Sequence, residues 1–343
     1  MSVQIQESSE SQSSEAQIIK MATAHWVSRI VHTAAELELV DRLSDGPRTA
    51  KELARSISSD APSLYRLMRT LASLGLFTED SDNRFSLTPL GEALKIGTPG
   101  RASVLTLAGE GFKRALDELP YSVKTGQSGF EKAYGTPYFQ WLADHPKEAS
   151  LFSETMVGIH GPEPAAVAAA YDFSELGVVV DVGGATGNLL AAILSRYPKP
   201  NGILFDLPHV VSEAPPLLKA RGVADRIRIA TGSFFDNVPS GGDAYLLSHI
   251  IHDWGEAQCM TILVNCRRAM KVNSRLLIIE TVLEKGDAPH LGKMLDMIML
   301  AFFTGAQERT EQEYRKLLDK AEFRLTRVVP TESAVSIVEA VPI

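Results

Sequence analysis

One stretch constrains this chain more than any other: Val178-Val179-Val180-Asp181-Val182-Gly183-Gly184-Ala185-Thr186-Gly187-Asn188. An unbroken β-branched run reads as a strand buried on both faces, as in a parallel sheet. It runs into three glycines, and Leu189 to Leu194 then reads as a helix. Strand, glycine turn and helix together make a site for something bound at a helix N-terminus. A backbone without Cβ can approach a ligand closely and can take positive φ. Further on, Gly202 to Asp206 reads as a second strand that ends in an acid. An acid about 20 residues after a glycine loop is placed to accept the hydroxyls of a ribose. The minimal reading is an adenosine-containing ligand across the switch point of a doubly wound sheet. The dinucleotide pattern G-x-G-x-x-G needs glycine or alanine where Asn188 stands; the spacing here is D-x-G-G-A-T-G instead.

A chain of 343 residues is long enough for two domains. Its 45% hydrophobic and 22% charged residues are the shares of a soluble globular protein. No apolar run reaches the roughly 18–20 residues of a membrane span, so no membrane partner is expected. Residues 1–15 are rich in Ser, Gln and Glu, with neither a basic nor an apolar core, and read as a disordered tail rather than a signal peptide. Cys259 and Cys266 are the only cysteines. Both fall in one expected helix, match no zinc pattern and suit a reduced, cytoplasmic setting. A net charge of −8 argues against a nucleic-acid partner.

Residues 16–98 read as a first domain. Ala16 to Leu43 has the apolar spacing of two helices. Thr49 with Glu52 has capping-box spacing, and Asp60-Ala61-Pro62-Ser63 opens another helix with the buried stripe Leu64, Leu67, Met68, Leu71 and Leu74. Leu76 to Glu79 and Arg84 to Thr88 form a hairpin. Helix, helix, hairpin is a winged-helix arrangement, which could read DNA. The wing tip Asp80-Ser81-Asp82 is acidic, however, and a DNA-reading wing should be basic, so dimerisation is the better use. The long first helices are apolar on more than one face and would leave a large exposed patch in a monomer, which implies a homodimer whose partner closes part of a pocket.

Residues 99–170 are helical, broken near Gly126 to Gly129 and Gly135 to Pro137. Tyr134, Tyr138, Phe139 and Trp141 form an aromatic-rich stretch, and Phe152, Met156 and His160 follow at helical spacing. These residues are either core packing or the wall of an aromatic substrate pocket. From Tyr171 to Ile343 strands and helices alternate, so the class is α/β with a mostly parallel sheet, closed by an antiparallel pair at Arg324 to Val329 and Ser336 to Ala340. His249 to Trp254 follows the fourth strand, and loops beyond strand C-termini face the ligand.

The words VVDVGGATGN, LFDLP, GSFF, HDW, IIE, DMIML and ERTEQEY stand in order along this chain. From roughly Ile18 to Pro342 it resembles the plant and bacterial small-molecule O-methyltransferases that carry an N-terminal winged-helix dimerisation domain and use S-adenosylmethionine. The resemblance implies a Rossmann-like class I methyltransferase sheet and, residue by residue, a site. His252 matches the general base, and Glu280 and Glu308 match the two acids that flank it. Asp181, Gly183, Gly184, Gly187, Asp206 and Leu207 match cofactor contacts, with Asp206 on the ribose hydroxyls. Gly232, Ser233 and Phe234 match the loop beside the adenine, although the family usually has an acid at Ser233. Ser248 stands where many plant members have lysine. Asp253, Asp296 and Met297 match residues lining the acceptor pocket. Phe303 stands where plant members often hydrogen-bond a phenol with asparagine, which implies a different acceptor. Ala185 replaces the motif's usual middle glycine.

The chemistry suits these residue types without the family. Methyl transfer from a sulfonium is an in-line displacement. A phenol has a pKa of about 10, so a histidine with an ordinary pKa near 6.5 can take its proton as attack proceeds, contributing about 10²–10⁴ in rate. A carboxylate on the other ring nitrogen fixes the tautomer. No metal is required, and no clustered ligand set is expected. His249 and His209 read as ordinary helix-capping or packed histidines. An alternative use of the same fold is cofactor-assisted hydroxylation or decarboxylation of a polyketide-like substrate.

Overall fold

The computed structural model describes residues 13–343, so the expected N-terminal tail lies outside the described residues except for its last three positions. Those three open a helix. Ser13 caps it by accepting the Ala16 N–H at 3.2 Å, and Glu15 sits in its first turn, where the helix dipole favours an acid. The chain forms two compact units: residues up to 113 together with 147–158, and residues 114–146 with 159–343. The helical stretch 99–170 is therefore shared between them.

In the first unit the helix Ser14–Glu36 runs as one piece, and a single turn, Leu39–Arg42, follows Glu38 at φ +53°. The capping box at Thr49 and Glu52 opens the helix Ala50–Ile57, and Asp60 accepts the Ser63 N–H at 2.9 Å to open Ala61–Ser73. Strands β1 (Arg48–Thr49), β2 (Phe77–Glu79) and β3 (Arg84–Leu87) form an antiparallel sheet in the order β1-β3-β2. Leu53, Leu64, Met68, Leu71, Phe77 and Phe85 form the buried core of this winged-helix unit. The first helix keeps Ile18, Ile19, Met21 and Trp26 more than half exposed, at 65%, 62%, 71% and 60%.

The second unit is built on a seven-stranded sheet. Its strands are β4 (Val178–Val182), β5 (Asn201–Asp206), β6 (Ile227–Thr231), β7 (Ala244–Ser248), β8 (Arg275–Glu280), β11 (Phe323–Pro330) and β12 (Ser336–Pro342), in the order β11-β12-β8-β7-β4-β5-β6. The five strands from β8 to β6 are parallel, and β12 and β11 add antiparallel. Alternate residues feed opposite faces: Val180, Val182, Leu247 and Ile278 pack with the helix Glu256–Ala269, while Val179, Leu204, Leu246 and Leu277 pack with Asn188–Arg196. Helices cover both faces, which is why the strands carry no polar alternation. The Asp243 carboxylate accepts the Gly177 and Val178 N–H groups, both at 2.9 Å, and pins the start of β4. Strand order reverses between β4 and β7, so the ligand crevice of such a sheet lies at their C-terminal ends.

Besides β1, two more strands of two residues escape any sequence pattern. β9 (Val282–Leu283) and β10 (Arg309–Thr310) pair in parallel over two residues each. They tie the segment after Glu280 to the segment after Glu308. No helix among the described residues is long and apolar enough to cross a membrane.

Candidate active site

β4 turns at Gly183 (φ +73°) and Gly187 (φ +79°), conformations that glycine takes without strain. Gly184 is needed for space instead: a Cβ there would stand 2.5 Å from Asp181 Cγ and 2.6 Å from Leu204 Cδ1. Ala185 holds φ +49°, a left-handed conformation that costs an L-residue roughly 1 kcal/mol or more. Its N–H donates to Asp206 Oδ2 at 2.9 Å, and the Leu207 N–H donates to Asp206 Oδ1 at 2.7 Å. Each carboxylate oxygen has two acceptor sites, so Asp206 keeps capacity for a hydroxyl pair. Leu207 is 41% exposed beside it.

Asp181 is wholly buried, and neither of its oxygens makes a hydrogen bond of normal geometry. Burial, and after it the Asp206 charge, pushes its carboxyl up to about 7 against a weak pull from the Leu190 N–H. Gly232 ties its N–H to the Asp206 carbonyl at 3.1 Å, which brings the loop after β6 alongside. Ser233 uses its hydroxyl to accept the Phe235 N–H at 3.2 Å. The Phe234 ring lies 3.4 Å from where a Cβ on Gly183 would be. Asn265 Nδ2 donates to the Phe234 and Phe235 carbonyls, both at 2.9 Å, and Trp254 packs edge-on against Phe235 with ring centroids 4.8 Å apart. Asn265 had no sequence signal, because it sits mid-helix far along the chain. Ser248 ends β7, half-buried.

His252 lies in the turn after β7, with its side chain 12% exposed. Its Nδ1 is 2.8 Å from Glu308 Oε1, and the Glu308 side chain is almost wholly buried. Its Nε2 is 3.5 Å from Asp253 Oδ1. Glu280 holds the turn rather than the ring: its Oε1 accepts the Ile250 and His252 backbone N–H groups, both at 3.1 Å, and its Oε2 accepts the Tyr314 hydroxyl. Arg309, fully buried, donates to the Ile251 carbonyl at 3.0 Å and the Trp254 carbonyl at 3.3 Å. Burial alone would pull the His252 imidazole down. The Asp253 charge, the Glu308 hydrogen bond and the Glu280 and Glu308 charges outweigh it and raise the ring to about 10. Burial likewise pushes Asp253 up to about 6, opposed by His252 and reinforced by Glu280 and Glu308.

The residues expected to line an acceptor pocket divide. Asp296 Oδ1 accepts the Glu308 N–H at 2.9 Å, so it positions that acid. Met297 is half-buried on the helix Leu291–Phe302. Phe303 stacks on Phe139 with centroids 5.1 Å apart, and Phe302 stacks on Phe130 at 5.5 Å and meets Tyr138 edge-on at 4.9 Å. Phe130 and Tyr138 are buried, so this aromatic group is largely core packing. Phe152 and Met156 belong to the first unit, both half-buried on the helix Pro146–His160.

His160 is claimed by a residue the sequence reading missed. Glu163 Oε2 lies 3.0 Å from His160 Nδ1 and 2.7 Å from His249 Nε2. Burial opposes the charge on Glu163, but the two imidazoles hold its carboxyl down at about 2. The His160 and His249 rings stand 3.9 Å apart, and His249 is 5.4 Å from His252. The expectation that no clustered ligand set is present is overturned, because the fold makes one from these three side chains. His249, read as a packed residue, is part of it.

Comparison with known proteins identifies the surroundings of this site. The family model for the O-methyltransferase domain matches residues 116–324, and that for the O-methyltransferase dimerisation domain matches residues 19–95. The phenazine O-methyltransferase PhzM of Lysobacter antibioticus is 43% identical over 95% of this chain and 96% of its own length. The crystal structure of LaPhzM superposes with a TM-score of 0.89 at 43% identity, covering 97% of this chain and all (100%) of that one. NcsB1 from neocarzinostatin biosynthesis, solved with S-adenosylmethionine and 2-hydroxy-5-methyl naphthoic acid, superposes at 0.79 with 34% identity over 92% of this chain and 96% of its own.

Proposed function

This chain belongs to the O-methyltransferase family that carries a dimerisation domain, and from that premise we propose that it methylates a phenolic hydroxyl of a small aromatic acceptor, with S-adenosylmethionine as donor and His252 as base. When bound, the donor supplies a methyl group on a cationic sulfur. The residues fit it: Asp206 retains acceptor sites for ribose hydroxyls beside the Gly183–Gly187 turn, and Phe234 stands next to that turn where an adenine would pack.

The observation that carries the base assignment is the 2.8 Å contact between His252 Nδ1 and the buried Glu308 carboxylate. It puts the proton on Nδ1 and leaves Nε2 to accept one. The acids around the ring also set its strength. An ordinary imidazole is about 3.5 pK units weaker than phenolate, an uphill transfer of about 5 kcal/mol. A ring raised to about 10 makes that transfer nearly level. The consequence is that free His252 holds a proton at neutral pH, and acceptor binding as the phenol must release one to solvent. Glu280 and Arg309 act on the backbone of the turn, so they position the ring without touching the acceptor.

The N-terminal unit is the homodimer interface in this reading, supported by the exposed apolar side chains of its first helix and by the dimerisation model over the same residues.

The test is transfer of labelled methyl from S-adenosylmethionine to hydroxylated naphthoates and phenazines. His252→Ala should lower the rate by about 10²–10⁴ while the cofactor still binds. A product heavier by one methylene supports methylation; one heavier by an oxygen atom favours the hydroxylation alternative. Full activity in His252→Ala removes the base assignment.

A further inference from the structure

We propose that His160, Glu163 and His249 form a binding site for one divalent transition-metal ion of the zinc class, beside the methyl-transfer centre. Two imidazoles and one carboxylate are the donor set that borderline divalent ions prefer over hard ions such as Mg²⁺ and Ca²⁺. The proposal concerns binding alone and does not depend on the acceptor or on the role of His252.

The geometry brings a helix–helix corner and the end of a distant strand to one point. His160 ends the helix Pro146–His160, and Glu163 opens the helix Glu163–Ala170 after a link of two residues. His249 leaves the end of β7 at φ +54°, a conformation uncommon for side chains other than glycine. One donor atom from each residue lies within 4.8 Å of the others. Glu163 Oε2 is 3.0 Å from His160 Nδ1 and 2.7 Å from His249 Nε2. At a tetrahedral ion with bonds of about 2.0–2.1 Å, donors stand about 3.3–3.4 Å apart. His160 therefore retreats from the carboxylate by about 0.3–0.4 Å and His249 by about 0.6–0.7 Å, while the two imidazole donors, already within 4.8 Å, adjust to the same spacing.

Access and support are both present. The side chains are 30% (His160), 20% (His249) and 10% (Glu163) exposed, so an ion can enter and at least one coordination position stays open to solvent or a ligand. The backbone is anchored close by: the His249 N–H donates to the Ile279 carbonyl at 3.1 Å. Three protein ligands with an open position is the pattern of a reactive or regulatory ion rather than of a closed structural one.

The experiment uses full-length, tag-free protein freed of metal by a chelator, titrated with Zn²⁺ by calorimetry and with Co²⁺ by visible absorption. One ion per chain with micromolar or tighter affinity is expected, together with Co²⁺ bands of low coordination number. Glu163→Gln and His249→Ala, each verified as folded by circular dichroism, should bind at least tenfold more weakly. Glu308→Gln should bind as the parent does. Retention of tight binding in both cluster variants overturns the proposal, as does its loss in Glu308→Gln, which would place the ion at His252, Asp253 and Glu308. No saturable binding in the parent protein overturns it as well.

Discussion

Replacing Glu308 by Gln removes one charge from beside His252 while keeping an oxygen that can still accept the Nδ1 proton. The tautomer is preserved, so the change isolates electrostatics. Glu308 Oε1 lies 2.8 Å from Nδ1, which puts the two charge centres about 4 Å apart; at an effective dielectric constant of about 20 the lost attraction is about 4 kcal/mol. That equals about three pK units, so the ring should fall from about 10 to near 7. If half of that basicity is expressed in the transition state, kcat for a simple phenol drops about 30-fold. The pH profile carries the sharper signature. In the parent protein, kcat/KM should climb with pH toward about 10 as free His252 loses its proton; in Glu308→Gln the climb should end near 7. The assay is labelled methyl transfer from about pH 6 to about pH 10, with a second, more acidic phenol as control, whose rate should depend less on base strength. A folded variant with unchanged kcat and an unshifted profile would refute the claim that this carboxylate sets the basicity of the ring.

Other parts of the molecule give equally direct tests. Asp181, held at about 7 by burial, binds its proton more tightly folded than unfolded, so its contribution to stability declines as pH rises from about 4 through 7. Asp181→Asn in the cofactor-free protein should therefore raise the unfolding free energy at pH 8 by up to about 4 kcal/mol and change little at pH 4, read by denaturant titration. Ala185→Gly relieves the φ +49° conformation and should add about 1 kcal/mol, a degree or two in Tm, without weakening cofactor binding. Ile18→Glu combined with Trp26→Glu charges the exposed face of the first helix and should convert a dimer to monomer in sedimentation velocity at micromolar concentration.

The sheet was legible in the sequence because its strands are short apolar runs bounded by turn residues. Val178 to Val182 and Arg275 to Glu280 needed no tertiary information to identify. β9 and β10 were not legible, since two residues have no period. The site shows the same divide. His252 and Glu308 stood in recognisable words, and the fold brings them to 2.8 Å. Glu280 and Asp296 stood in such words too, yet Glu280 holds two backbone N–H groups and the Tyr314 hydroxyl, and Asp296 Oδ1 accepts the Glu308 N–H, duties that only register and distance reveal. Glu163 was silent because its partners are three and 86 positions away, and nothing local distinguishes it from any acid that opens a helix. Ala185 was visible as a departure from the motif, but its cost is a matter of φ.

Arg309 carries a consequence for anyone redesigning this protein. Its guanidinium, sealed in the interior, clasps the carbonyls on either side of His252, so swinging that turn outward would strand a cation in oil. The His252 ring is in effect cast in place, because any change that frees the turn must also find new partners for that buried guanidinium.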